Sequence, residues 1–168
     1  MKLLPLADEA ALDLACGWLA DAGNRQWLQF GDATRPIPAA SLKVMTQRPA
    51  HCMRLFTTET GTPIGIVALG DIHPVFRTAT IWIVLGDKRF AGQHYGRRAM
   101  GRCLQVGFGE LGLRSVTTWV VDINMPSRRM VEAVGFRLIG RQRQCHVIDG
   151  QVHDRLLFDL LPGELREA

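Results

Sequence analysis

The chain predicts a mixed α/β (α+β) fold: a mostly antiparallel central sheet containing one parallel strand pair, with helices on its faces. Three observations predict it. First, apolar runs rich in β-branched and aromatic residues recur at 53–58, 64–69 and 78–85, separated only by turn-forming segments, as consecutive antiparallel strands are. Second, the run 78–85 leads through a glycine-containing loop into a helical periodicity and then another strand at 116–121. Strand, helix and strand in that order form a crossover, which makes the two strands parallel. Third, residues 136–147 and 151–161 flank Asp149-Gly150, a dipeptide suited to a tight hairpin.

Taken in order, Leu3 to Leu6 reads as a first strand. Asp8 to Ala22 is an amphipathic helix with Ala11, Leu12, Ala15, Leu19 and Ala22 on one side, Asp8 as its cap and Gly23-Asn24 as its end. Residues 24–38 hold Trp27, Leu28 and Phe30 before Arg35-Pro36-Ile37-Pro38 interrupts them, and 39–47 is a further helix. Met53–Thr58 and Ile64–Leu69 form a hairpin around the turn residues 59–63, and Gly70–Arg77 is a second connection carrying Asp71 and His73. Thr78 to Leu85 completes the antiparallel run. The helix starting at Tyr95 extends to about Leu111, where Gly112 stops it, and Val116–Val121 follows.

At 168 residues the chain suits one domain, residues 1–168, with a sizeable core. No apolar run reaches the roughly 18 residues of a membrane span, and Asp8, Glu9 and Asp13 interrupt the N-terminal apolar stretch in a way a signal peptide does not tolerate. Cys16, Cys52, Cys103 and Cys145 lie far apart without C-x-x-C spacing, which argues against a disulfide framework or a metal site and for a reducing cytoplasm. A net charge of +4 permits nucleic-acid binding, but the basic residues are scattered apart from Lys88-Arg89, Arg97-Arg98-Arg102 and Arg137-Arg141-Arg143. A solvated surface accounts for all three clusters, and a polyanionic small molecule competes for the first two. An RNA-binding domain, the weakest reading, would show a steep salt dependence of affinity.

The loop between Leu85 and Tyr95 carries the chemistry. Gly92 and Gly96 bracket a turn that feeds a helix N-terminus, where first-turn N–H groups have no intrahelical acceptor and the macrodipole adds positive charge. A plain structural turn is the competing reading. The spacing fits neither a Walker loop nor a dinucleotide fingerprint. Ala91-Gly92-Gln93-His94-Tyr95-Gly96 resembles the coenzyme A loop of the GNAT superfamily of N-acetyltransferases, written [QR]-x-x-G-x-[GA], with Ala91 in place of Gln or Arg and His94 in place of Gly. Asn124, Ser127 and Gly135-Phe136 resemble the family's N-x-x-S/A … GF segment, and Gly150, Asp154 and Leu160-Leu161 resemble the tail of its ribosomal-protein-alanine acetyltransferase branch. The resemblance runs from about Ile64 to Leu161.

That resemblance implies that the two parallel strands splay apart, with the pantetheine arm of acetyl-coenzyme A paired to Ile83, Val84 and Leu85. The pyrophosphate would take N–H groups from Gly92, Gln93, His94, Tyr95, Gly96 and Arg97, and Asn124 and Ser127 would lie near the thioester. The reaction would be direct attack of a primary amine, from a protein N-terminus or a small molecule, with no metal. Homodimers are common among such relatives. Many of them place a Glu on the strand before the loop, where this chain has Thr80 and Ile81, and a Tyr seven residues after the Asn, where it has Val131. Ser127 is therefore the candidate donor to the departing sulfur, unless it only caps its helix. His73 is the candidate base, because an imidazole titrates near working pH, unless it is only an exposed loop residue. Tyr95, the sole tyrosine, suits packing. Trp18, Trp27 and Phe30 are candidates for the acceptor pocket or for core. The missing Glu and Tyr keep a second reading open, a non-catalytic acyl-coenzyme A-binding module.

Overall fold

The computed structural model describes residues 1–29 and 37–166. Its strands are β1 (Leu3–Pro5), β2 (Cys52–Thr57), β3 (Pro63–His73), β4 (Thr78–Leu85), β5 (Ser115–Val121), β6 (Arg137–Ile148) and β7 (Gln151–Leu160). They join in one seven-stranded sheet, in the order β1-β2-β3-β4-β5-β7-β6. Every neighbouring pair is antiparallel except β4 and β5. The helices are α1 (Glu9–Ala20), α2 (Ala22–Arg25), α3 (Ala39–Gln47), α4 (Tyr95–Gly109) and α5 (Met125–Val134).

Side-chain alternation along the strands sends apolar residues to both faces of the sheet. On one face Val67, Leu69, Ala79, Ile81, Val116, Val120, Phe158 and Leu160 pack against Ala99, Met100, Cys103 and Leu104 of α4 and Val131 and Val134 of α5. On the other, Met53, Leu55, Ile66, Ala68 and Val84 pack against Leu12, Ala15 and Leu19 of α1 and Leu42 of α3. Each fully buried aliphatic side chain of this kind contributes about 1.5–3 kcal/mol. The helices on the two faces make β4 the central strand, covered on both sides.

The structure revises the sequence reading in two places. Residues 70–73, expected in a connection, extend β3: the ladder with β4 continues to His73↔Thr78, with a shift of register after Gly70. Asp71, at φ 51°, is the left-handed residue that lets the strand absorb the irregularity, so the turn shrinks to residues 74–77. The first helix ends at Ala20, ahead of Gly23-Asn24. Asp21 stops it by capping α2, its carboxylate accepting from the Asn24 N–H at 3.0 Å. Ala22 thus opens a second helix. Phe30 lies outside the described residues; Trp18 packs beside the core on the α1 face, directly over Gly86, where a Cβ would come within 2.1 Å of its ring.

Candidate active site

The parallel pair is short. β4 and β5 match only at Thr78↔Ser115, Ala79↔Val116 and Thr80↔Thr117. β4 then runs on to Leu85, while β5 continues paired to β7 through Val121↔Arg155. Two hydroxyls mark the parting. Thr117 Oγ1 donates to the Ala79 carbonyl at 3.4 Å, and Thr118 Oγ1 donates to the Ile81 carbonyl at 2.9 Å. The second bond takes the acceptor that another rung of backbone ladder would have used. Peptide groups of alternate residues in a strand face opposite neighbours, so Ile83 and Leu85, in phase with Ile81, direct theirs toward the gap. Val84, which the resemblance also assigns to the arm, is out of phase: its peptide group faces β3 and its side chain enters the core of the α1 face. Lys88 Nζ donates to the Leu85 carbonyl at 2.7 Å and to Asn24 Oδ1. Burial pulls the Lys88 ammonium below its ordinary pKa.

The loop at the end of β4 turns through a short 3-10 segment, Lys88–Phe90, capped by Asp87. Gly92 (φ 77°) and His94 (φ 60°) are both left-handed. For His94 this backbone costs about 1–2 kcal/mol relative to glycine, which is what its substitution into the motif implies. His94 occupies the N-cap of α4 without a side-chain cap bond. The N–H of Arg98, bonded to the His94 carbonyl at 3.1 Å, is the first of the helix to use a capping-turn acceptor. The first-turn amides of α4 therefore lack an intrahelical acceptor and stand next to Ile83, beyond the last paired residues of the parted strands. Gly96 sits where α4 crosses β4 and α5, since a Cβ there would lie 3.1 Å from Met130 Sδ and 3.8 Å from Ile83 Cδ1.

The first turn of α4 is braced from behind. The Tyr95 hydroxyl donates to Glu59 Oε2, and Arg98 bonds Glu59 Oε1 at 2.8 Å and stacks its guanidinium on the Tyr95 ring at 4.6 Å. The Tyr95 hydroxyl first, then Arg98, hold the Glu59 carboxyl down to about 2. No local signal in the chain points to Glu59, which lies in a hairpin turn. The tyrosine side chain is thus committed to packing, as its position suggested, and only its amide lies on the outward side. Arg89 is paired with Asp87 at 2.7 Å and Arg102 donates to the Met1 carbonyl, so much of the basic cluster around the loop already has internal partners.

Across the gap, Asn124 caps α5 by accepting from the Ser127 N–H at 3.2 Å, and Pro126 stands in the first turn. The cap is therefore Asn124, and the Ser127 hydroxyl is not spent on it. Gly135 (φ 117°) closes the helix in the left-handed conformation. His73 is elsewhere. It ends β3 opposite Thr78, level with the closed end of the parallel pair. Its Nδ1 accepts from the Phe76 N–H at 3.1 Å, and its ring stacks on Phe76 at 4.4 Å. Five strand residues, about 17 Å, separate that level from Ile83. The structure therefore does not bring His73 to Ser127.

A second group of polar residues lies on the sheet face opposite α4, and sequence reasoning missed it. Trp82 of β4 and Trp119 of β5 flank the gap there. Arg155 of β7 lays its guanidinium 4.0 Å over the Trp119 ring and donates from Nε (3.2 Å) to His146 Nδ1, with Nη2 2.9 Å from the same atom. His146 Nε2 is 2.6 Å from the Gln26 carbonyl. Burial, partly offset by that carbonyl, pulls the His146 pKa below its ordinary value. Because Nδ1 accepts from Arg155 and Nε2 faces a carbonyl, Nε2 carries the proton and the imidazole is neutral. Beyond it, Asp154 pairs with Arg141 at 3.3 Å, and Asp122 lies 3.7 Å from His153.

A seven-stranded sheet that parts at one parallel pair, beside a helix N-terminus open to an anion, defines a fold used for acyl-coenzyme A chemistry. Residues 1–137 match the family described as Acetyltransferase (GNAT) domain, and the chain belongs to that family. It is 30% identical over 106 residues to YdaF of Bacillus subtilis (strain 168), provisionally named a ribosomal N-acetyltransferase; the match takes in 62% of this chain and 56% of that relative. The chain thus spans little more than half the length of that relative. The crystal structure of spermidine N-acetyltransferase from Vibrio cholerae in complex with CoA and spermine superposes with a TM-score of 0.84 at 18% identity, covering 97% of this chain and 96% of that one. A chimera of spermidine N-acetyltransferase SpeG from Vibrio cholerae and hSSAT gives a TM-score of 0.80 at 17% identity, covering 97% of each chain. At these identities the likeness is one of fold.

Proposed function

We propose that the chain is an N-acetyltransferase that moves an acetyl group from acetyl-coenzyme A directly to a primary amine. The observation that carries this is the parting of β4 and β5 after Thr80↔Thr117 next to the uncapped N-terminus of α4. The residues fit the co-substrate: amides from Gly92 to Arg97 take the diphosphate, and the peptide groups of Ile83 and Leu85 that face the gap pair with the amide-rich arm. The co-substrate supplies an activated acetyl thioester. In this reading the Ile83 N–H polarises its carbonyl, the Ser127 hydroxyl donates a hydrogen bond to the departing sulfur, and the proton lost by the attacking amine ends on that thiol. Cys103, 1% exposed and with its thiol pushed up to about 12 by burial, is no acyl-accepting nucleophile.

Calorimetry with acetyl-coenzyme A, followed by thiol release with a panel of amines, tests the reading. Binding with turnover is expected. Ser127→Ala should lower kcat roughly 10- to 100-fold without changing the affinity for acetyl-coenzyme A. Binding without turnover on any amine would instead favour a non-catalytic acyl-coenzyme A-binding module, which the absence of a carboxylate on β4 before the loop and the Val131 at the usual tyrosine position would suit.

A further inference from the structure

The group formed by Arg155, Trp119 and His146 has no part in binding the co-substrate as described, and we propose that it recognises a carboxylate on the amine acceptor. The proposal rests on the acetyltransferase reading above and deepens it. Arg155 is 8% exposed, and among the described residues no carboxylate pairs with it. Of the nearby acids, Asp154 pairs with Arg141 at 3.3 Å, and Asp122 lies 4.0 Å from Arg141 and 3.7 Å from His153 rather than on Arg155. A guanidinium taken out of water without a counter-charge is costly. Here three contacts hold it in place: the neutral His146 Nδ1, the Trp119 face and Gln29 Oε1, which accepts from Nη1. Those contacts use Nε–H and one hydrogen on each terminal nitrogen. Of the five N–H donors, one on Nη1 and one on Nη2 remain for a carboxylate.

Location turns this cation into a specificity element. Trp119, Arg155, His146 and Trp82 share the sheet face opposite α4. The co-substrate's diphosphate binds on the α4 side, so the amine reaches the gap from this opposite face. Trp119 stands two residues beyond the last paired residue of β5, about 7 Å along the strand. A carboxylate resting on Arg155 therefore places an amine a few bonds away at the parting of the strands. The acceptor class is a small amino acid or similar amino-carboxylate. A buried cation at this point disfavours a polyamine.

The test compares matched acceptors by thiol release from acetyl-coenzyme A: α- and ω-amino acids, the same compounds as carboxamides, and spermidine. The free carboxylates should have the higher kcat/KM, by roughly 10- to 100-fold over their amides, mainly through KM. Arg155→Gln should erase that preference and Arg155→Lys should restore part of it, both with unchanged acetyl-coenzyme A affinity by calorimetry. Should Arg155→Gln not fold, the wild-type ratio of carboxylate to carboxamide decides alone. Amides or spermidine used as well as the carboxylates, a preference that survives Arg155→Gln, or a coenzyme A complex that neither binds nor acetylates any amino-carboxylate overturns the subsite. Absence of acetyl-coenzyme A binding by the wild type overturns instead the reading beneath it.

Discussion

The hydroxyl of Thr118 holds the Ile81 carbonyl where the sheet opens, and replacing it by valine tests what that bond contributes. Thr118 Oγ1 donates to the Ile81 carbonyl at 2.9 Å, in a residue only 8% exposed. Thr118→Val keeps the shape and removes the donor. The lost bond costs about 1 kcal/mol net, and a carbonyl left unpaired in a buried place costs about 1–3 kcal/mol. The two terms overlap, which puts the total at about 2 kcal/mol. For a domain of this size each kcal/mol lowers Tm by about 2–4 °C, so the variant should melt roughly 4–8 °C below wild type. Thr118→Ser, which keeps the donor, should recover most of the loss. Thermal unfolding followed by circular dichroism measures both. A valine variant melting within about 1 °C of wild type, or a serine variant as damaged as the valine one, would refute the stabilising role given to this hydrogen bond.

Other perturbations follow from the same geometry. Gly135→Ala places a Cβ 2.2 Å from the Glu164 carbonyl oxygen at φ 117°; backbone cannot yield as a side chain can, so a loss of more than about 2 kcal/mol in urea unfolding is expected. Gly86→Val drives atoms into the Trp18 ring, because even a Cβ at residue 86 would stand 2.1 Å from it, and should shift the tryptophan fluorescence along with lowering stability. Glu59 is held near 2 in the folded chain against an ordinary value of 4.5. Its contribution to stability is thus complete above about pH 4.5 and declines as pH falls toward 2. Glu59→Gln should flatten that part of the acid-unfolding curve, and an unchanged curve would show that the brace on α4 is not formed. His146 has a folded pKa below 6.5, so the unfolded chain binds the proton more readily and stability falls as pH drops through 6.5. His146→Gln should lessen the loss measured by urea titration between pH 7.5 and 5.

Much of the site is legible in the sequence because its cues are local. The loop Gly92, the left-handed Gly135, Pro126 at the entry of α5 and the Asp149-Gly150 turn each depend on a few consecutive residues, and each appears in place, whereas the cap of α5 is Asn124 and not Ser127. The position of His73 is not legible, because a shift of register at Asp71 is a compromise between two strands that neither strand's own alternation displays. Val84 cannot be told from Ile83 and Leu85 because a strand's sequence does not say which edge of it stays open.

The sequence by itself determined the main run of each strand, the longer helices, the crossover that makes one pair parallel, and the glycine-containing loop that feeds α4. Periodicity, caps and glycines act over a few residues and are written in that order along the chain. Tertiary structure alone decided that β4 and β5 part after Thr80, because a threonine 37 positions from Ile81 takes its carbonyl. It also alone assembled Arg155, His146 and Trp119, which three separate strands bring over one face of the sheet. Hydrogen bonds and buried charge are satisfied by whatever the fold places nearby, and that neighbourhood is fixed only when the sheet order is.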